Sequence, residues 1–180
     1  MADYEARIAP FINEIFYVTS IFGEERASGV LHKGIDIATP SAGGGANLYS
    51  MCNGTVVNVT NQPSGFGHYM IMKDAVTGMG FLYAHMKERT PLNVGDSVSI
   101  GQYVGFEGTS GSSTGIHLHL EMQDISNNDW IFGAPLSTYN NPADFMGFPN
   151  VEGISVIYDG EPIPPTQFIK NEFPWVLYAK

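Results

Sequence analysis

The chain has 180 residues, 43% of them hydrophobic, which bounds it to about one domain and excludes wholesale disorder. Its 8 Lys and Arg stand against 18 Asp and Glu, a formal net charge of −10. Nucleic acid is excluded as a partner, because neutralising phosphates needs a basic face, and charge-driven binding to anionic polymers or lipid is disfavoured.

In chain order, Ile8, Phe11, Ile12, Ile15 and Phe16 form an apolar stripe at helical spacing, with Pro10 tolerable in a first turn. The spacing predicts an N-terminal helical flank over residues 1–16. Asp3, Glu5 and Arg7 stand where a secretory signal would be apolar, so no export signal is read there. No stretch approaches ~18 uninterrupted apolar residues, so no membrane span is expected. Strands dominate afterwards. Residues 17–22 read as the first, ended by Gly23. Cys52 is the only cysteine, which leaves no internal disulfide and reads as a buried, inert thiol. Asn53-Gly54 is a hairpin signal ahead of the β-branched run 55–59. Residues 69–73 and 80–84 flank a turn at Thr77-Gly78, and 98–100, 103–107 and 117–122 add short strands. Close spacing with glycine punctuation predicts a mainly β fold, an all-β sandwich or barrel-like sheet.

Three stretches read as loops: the glycine-rich segment 41–46, the Gly-Ser-Thr segment 108–115, and residues 124–141, polar but carrying Trp130 and Phe132 as a candidate groove wall. Beyond about residue 151 come Pro162, Pro164 and Pro165 and then an aromatic run over 173–178, expected to dock on the domain.

The chemistry concentrates in histidine. His32-Lys33-Gly34-Ile35-Asp36 sets an imidazole four residues before a carboxylate. On a straight strand that is roughly 13 Å, too far for one zinc ion, so the segment must bend, and Gly34 is the expected place. His117-Leu118-His119 sets two imidazoles two apart on a strand, about 6.6 Å between Cα atoms and on one face. Both reach a shared site; one can ligate while the other handles a proton, and spacing alone does not say which. His85 lies between the motifs, and His68 reads as an ordinary packed or surface histidine. Together they offer three ligands for a divalent metal and two imidazoles for proton transfer, the complement of an open hydrolytic zinc site.

The ordered series is similar to the lysostaphin-type (LytM-like) zinc endopeptidases, which cut peptide cross-links of bacterial peptidoglycan. It comprises Phe22-Gly23, His32-Lys33-Gly34-Ile35-Asp36-Ile37-Ala38-Thr39-Pro40, Asn53-Gly54-Thr55-Val56-Val57, Tyr83-Ala84-His85-Met86, Val94-Gly95-Asp96-Ser97-Val98, the segment 108–115, and His117-Leu118-His119-Leu120-Glu121. The resemblance implies an antiparallel β fold with an open groove, hybrid-barrel-like, and zinc at the groove floor. By motif position, His32, Asp36 and His119 match the zinc ligands, and His85 and His117 the catalytic pair. The peptidase domain is then 17–148, with a C-terminal extension over 149–180. Departures are Ile116 for a usual proline, Leu120 for a common phenylalanine, His68 for a frequent asparagine, and a loop lengthened by Gly43-Gly44-Gly45. None removes a ligand or an imidazole.

The resemblance makes a peptidoglycan peptide the expected substrate. The absence of an export signal fits a virion-associated or extracellular enzyme, such as a phage tail component or endolysin joined to a larger tail assembly. Two competing readings have sequence handles. A non-catalytic wall-binding or regulatory module of the same fold would lack one of the five chemical positions. A lipoyl-type carrier domain, suggested by residues 94–102, would need a modified lysine at a tight turn, for which Lys73 is the candidate.

Overall fold

The computed structural model describes residues 8–26, 29–40, 44–127, 129–158 and 176–179. They form β1 (Glu14–Ser20), β2 (Gly34–Ala38), β3 (Asn47–Tyr49), β4 (Gly54–Gln62), β5 (Gly67–Asp74), β6 (Met79–Met86), β7 (Ser97–Val98), β8 (Tyr103–Phe106), β9 (Leu118–Asp124), β10 (Tyr139–Asn140), one short helix α1 (Pro142–Met146), β11 (Ile154–Tyr158) and β12 (Val176–Ala179). The main sheet runs β12-β11-β1-β2-β9-β6-β5-β4-β7, with β10 also on β9, while β3 and β8 make a separate ribbon. Each of these pairings is antiparallel. The mainly β, antiparallel expectation therefore holds.

Period-2 alternation sorts the central strands into two faces. Ile35 and Ile37 of β2, Leu118, Leu120 and Met122 of β9, Phe81 and Tyr83 of β6, and Met70 and Met72 of β5 all join one core. That core also takes Leu48 from the ribbon and Phe145 from α1, whose ring centroid lies 4.6 Å from that of Phe81. The residues between them, Asp36, His119 and Glu121, share the opposite face. Further along that face Tyr69, Ile71, Leu82 and Ala84 form a smaller cluster against Phe66 and Trp130. One set of strands thus buries hydrocarbon on one side and presents chemistry on the other.

Several expectations change. Residues 8–13 are not helical, and β1 begins at Glu14 rather than Tyr17; residues 1–7 lie outside the described ones. Asn13 adopts φ 57°, a left-handed conformation that ends any helical run. Ile8 and Phe11 reach the core anyway, from an irregular segment tied down by bonds from Ile8 N to Met51 O and from Tyr49 N to Pro10 O. Asn53-Gly54 is no hairpin turn, because β3 pairs with β8 and not with β4. The Asn53 side chain instead accepts from Ile100 N at 2.9 Å. Lys73 lies within β5, its amine donating to Ser126 O at 3.3 Å, and not at a turn tip, which removes the carrier-domain reading. Cys52 is buried in the core. In the C-terminal segment, β11 pairs with β1 through Glu14↔Tyr158 to Tyr17↔Ser155, and β12 pairs with β11. Of the aromatic run, residues 173–175 lie outside the described ones.

Candidate metal centre

Register brings the distant motifs together. Asp36 on β2 and His119 on β9 are direct cross-strand partners, and His119 also faces Ala84 on β6. His85 follows Ala84, and His117 lies two residues from His119, so antiparallel pairing sets the His85 and His117 rings beside each other, 4.8 Å between centroids. His32 arrives from outside the sheet. The segment before β2 folds back on residues 23–25, with Gly23 N bonded to His32 O and His32 N to Glu24 O, both at 2.8 Å. The chain therefore bends ahead of Gly34, which is itself the first residue of β2. Glycine is required there for close approach: a Cβ would lie 2.3 Å from Leu120 O and 2.9 Å from His119 Cε1.

Three donor atoms converge: His32 Nε2, Asp36 Oδ1 and His119 Nδ1. Their separations are 2.7 Å for Asp36–His119, 3.0 Å for His32–His119 and 3.3 Å for His32–Asp36. Donors held by a tetrahedral zinc ion at 2.0–2.1 Å stand about 3.3 Å apart, close to this spacing. The outward atoms are already engaged. His32 Nδ1 donates to Ile21 O at 2.8 Å, His119 Nε2 to Glu121 Oε1 at 3.1 Å, and Asp36 Oδ2 accepts from Arg26 Nη2 at 3.0 Å. With each outer nitrogen acting as a donor, the inner nitrogens of neutral rings turn lone pairs toward one another and toward a carboxylate. Such a cluster favours positive charge at its centre, a proton on His119 or a metal ion, and its three convergent donors fit a zinc ion.

Electrostatics agree. Burial opposes charge on His119, but hydrogen bonds to Asp36 and Glu121 outweigh it and raise the ring to about 9. Burial likewise opposes the Asp36 carboxylate, yet hydrogen bonds to His119 and His32 hold it well below the usual carboxylate range. The cluster thus draws positive charge inward. Burial pushes His85 the other way, down to about 4.

His85 and His117 are anchored alike. His85 Nδ1 donates to Ser110 O at 2.8 Å, and His117 Nδ1 to Gly115 O at 2.9 Å, which leaves Nε2 of each neutral ring without a hydrogen. His117 Nε2 lies 3.7 Å from Asp36 Oδ1. Both acceptor carbonyls belong to the Gly-Ser-Thr segment 108–115, whose role is thereby to fix the two imidazoles. His85 has φ 59°, rare for a residue with a side chain and a mark of backbone held under strain at a site. All five sequence-selected residues line one groove of about 440 Å³. His68, half-buried on β5, does not line it.

Spacing had not singled out three further groove residues. Arg26 bonds both Asp36 Oδ2 and, at 2.8 Å, Ser20 Oγ. Phe66 covers the His119 ring at 5.7 Å between centroids and meets Phe132, expected in a groove wall, at 6.2 Å. Glu121 stands behind His119. A carboxylate two residues beyond a ligating histidine on the same strand face was the available signal for the last.

The profile of peptidase family M23 matches residues 30–131, more than half of the chain. Among solved structures, the catalytic domain of the prophage-encoded M23 protein EnpA from Enterococcus faecalis aligns at 32% identity over 75% of this chain and 95% of that one, with a TM-score of 0.57. A zinc containing peptidase from Vibrio cholerae aligns at 29% identity over 71% of this chain and 41% of its own, with a TM-score of 0.58. The peptidoglycan DD-endopeptidase ShyA of Vibrio cholerae is 35% identical over 91 residues, 51% of this chain and 20% of that protein. The chain thus covers about a fifth of the length of the first curated relatives it matches. On the match over residues 30–131 and the donor trio that those residues build, the chain belongs to peptidase family M23, a family of zinc-dependent metallopeptidases.

Proposed function

We propose that this chain is an endopeptidase that hydrolyses peptide bonds in bacterial peptidoglycan, in cross-links or stem peptides, with His32, Asp36 and His119 holding zinc and His85 and His117 moving protons. The observation that carries the reading is the convergence of those three donors within 3.3 Å, with two backbone-anchored imidazoles beside them in one groove. When bound, zinc supplies Lewis acidity to the scissile carbonyl and to the attacking water. His117, whose Nε2 lies 3.7 Å from Asp36 Oδ1, accepts a proton at that nitrogen; anchored at Nδ1, it can return the proton to the leaving amine without reorienting. His85, neutral and fixed on Ser110 O, is a second acceptor and becomes a hydrogen-bond donor at Nε2 once protonated. A peptide substrate fits the relatives, since ShyA is a peptidoglycan DD-endopeptidase. A virion-associated or extracellular place fits a wall substrate, and the structural relative EnpA is prophage-encoded.

Digestion of defined peptidoglycan with mass-spectrometric reading of the products tests this directly. His119→Ala should lose metal and cleavage together. His117→Ala should keep metal and lose turnover. A chelator should stop the wild-type chain and zinc restore it. Wall cleavage retained by both variants would overturn the assignment.

A further inference from the structure

Glu121 is 3% exposed, a burial that carboxylates seldom show without partners on both oxygens. Here Oε1 accepts from His119 Nε2 at 3.1 Å, while Oε2 is buried with no hydrogen-bond partner among the described residues. Strand register explains how the group fits. Glu121 faces Gly34 across the β2–β9 ladder, and a Cβ on Gly34 would come within 3.0 Å of Glu121 Cγ. The missing side chain makes room for the carboxylate directly behind the ligand ring. A group placed only to support the sheet would have both oxygens satisfied, or would be apolar. This one makes a single hydrogen bond, to a residue of the donor trio, and leaves its other oxygen unsatisfied, an unfavourable arrangement for a buried carboxyl group.

The cost is offset where a cation sits on the far side of the same ring. Asp36 already has Arg26 as an ion-pair partner, so a cation on the trio would chiefly answer the carboxyl group behind the ring. We propose that Glu121 is the positioning residue of the zinc site. Its carboxylate holds the His119 proton on Nε2, so that Nδ1 presents its lone pair to the metal, and it supplies the second negative charge that the ion neutralises. The proposal rests on the metal-site reading above.

Zinc affinity of the full chain, measured by competition with a chromophoric chelator, separates the roles when compared across Glu121→Gln and Glu121→Met. Glutamine keeps an acceptor for Nε2–H but not the charge; methionine keeps neither. Zinc should bind about tenfold more weakly to the glutamine variant and up to about a hundredfold more weakly to the methionine variant. The metal-free glutamine variant, which keeps an acceptor for Nε2–H, should melt close to the metal-free wild type, so that its loss of affinity is not a loss of fold. Methionine-variant affinity within about twofold of wild type would overturn the proposal while leaving the zinc site standing. If the methionine variant fails to fold, glutamine decides: wild-type affinity there overturns the proposal too. A wild-type chain that binds no zinc sinks the metal site itself, and this role with it.

Discussion

Asp36 Oδ1 and His119 Nδ1 lie 2.7 Å apart because the two residues are register partners on β2 and β9. Two of the three donors of the trio are therefore set by a backbone ladder in the middle of the sheet and not by loops. The third, His32, comes from a segment locked by paired backbone bonds to residues 23 and 24. A site built on paired strands and a backbone-bonded segment has its donor spacing set by main-chain hydrogen bonds, with Arg26 and Glu121 bonded to its outer atoms.

Gly34→Ala tests that rigidity. The added Cβ would meet Leu120 O at 2.3 Å and His119 Cε1 at 2.9 Å, one of them backbone that cannot move without breaking the β2–β9 ladder. Overpacking of this kind costs on the order of 1–3 kcal/mol. The variant should unfold at lower urea and bind zinc more weakly, because the displaced atoms include the ligand ring. Wild-type zinc affinity in a folded Gly34→Ala protein would show that the ladder does not set the ligand.

His85 offers a test of strain. At φ 59° asparagine is tolerated well and β-branched residues poorly. His85→Asn should stay within about 1 kcal/mol of wild-type stability, and His85→Val should cost about 2 kcal/mol more than that. Both should retain zinc and lose wall cleavage by roughly 10²–10⁴-fold, the usual worth of a general acid–base group. Equal stability of the two variants, measured by urea unfolding, would remove backbone strain from the account.

Residue type at fixed spacing made the five groove residues legible, since zinc chemistry demands those donors and strand alternation puts residues 117 and 119 on one face. The helix predicted over 1–16 has no counterpart in its described part because the stripe of Ile8, Phe11 and Phe16 is satisfied by core contacts that need no helical backbone, and Asn13 turns the chain left-handed before β1. Gly34 was read as a hinge, whereas its glycine serves a cross-strand contact with residues 119–121, a relationship no local window contains. Arg26 and Phe66 reach the site only through tertiary folding.

Glu107 fastens the loop between β2 and β3. Buried completely, it accepts from Thr39 N at 3.0 Å, from Thr39 Oγ1 at 2.5 Å and from Ala46 N at 3.1 Å. Glu107→Gln turns an amide NH₂ toward one of these donors and should cost about 1–3 kcal/mol. Burial raises the Glu107 carboxyl despite its donors. The folded chain therefore holds this proton more tightly than the unfolded chain. Its contribution to wild-type stability is greatest below the unfolded value of about 4.5 and declines as pH rises through the folded one. The deficit of the glutamine variant should accordingly be largest in acid and narrow toward neutrality. A deficit that grows with pH would reverse the sign and contradict the raised carboxyl.

The C-terminal segment should matter for metal as well as for stability. Asn150 clamps Phe22, its Oδ1 accepting from Phe22 N at 3.0 Å and its Nδ2 donating to Phe22 O at 2.9 Å. Phe22 adjoins Gly23 and Glu24, whose backbone bonds hold His32. Meanwhile β11 covers the free edge of β1, the strand that carries Phe16 and Val18 into the core. A chain ending at residue 148 loses both supports and leaves β1 with an open row of backbone donors and acceptors, so it should melt lower and self-associate. Asn150→Ala isolates the clamp: it removes two hydrogen bonds, should cost about 1–3 kcal/mol, and should weaken zinc binding by freeing the His32 segment. Calorimetric melting with and without zinc measures both effects. Should the shortened chain and Asn150→Ala match the wild type in melting and in zinc-induced stabilisation, residues 149–158 would be decoration on the peptidase domain and not part of its support.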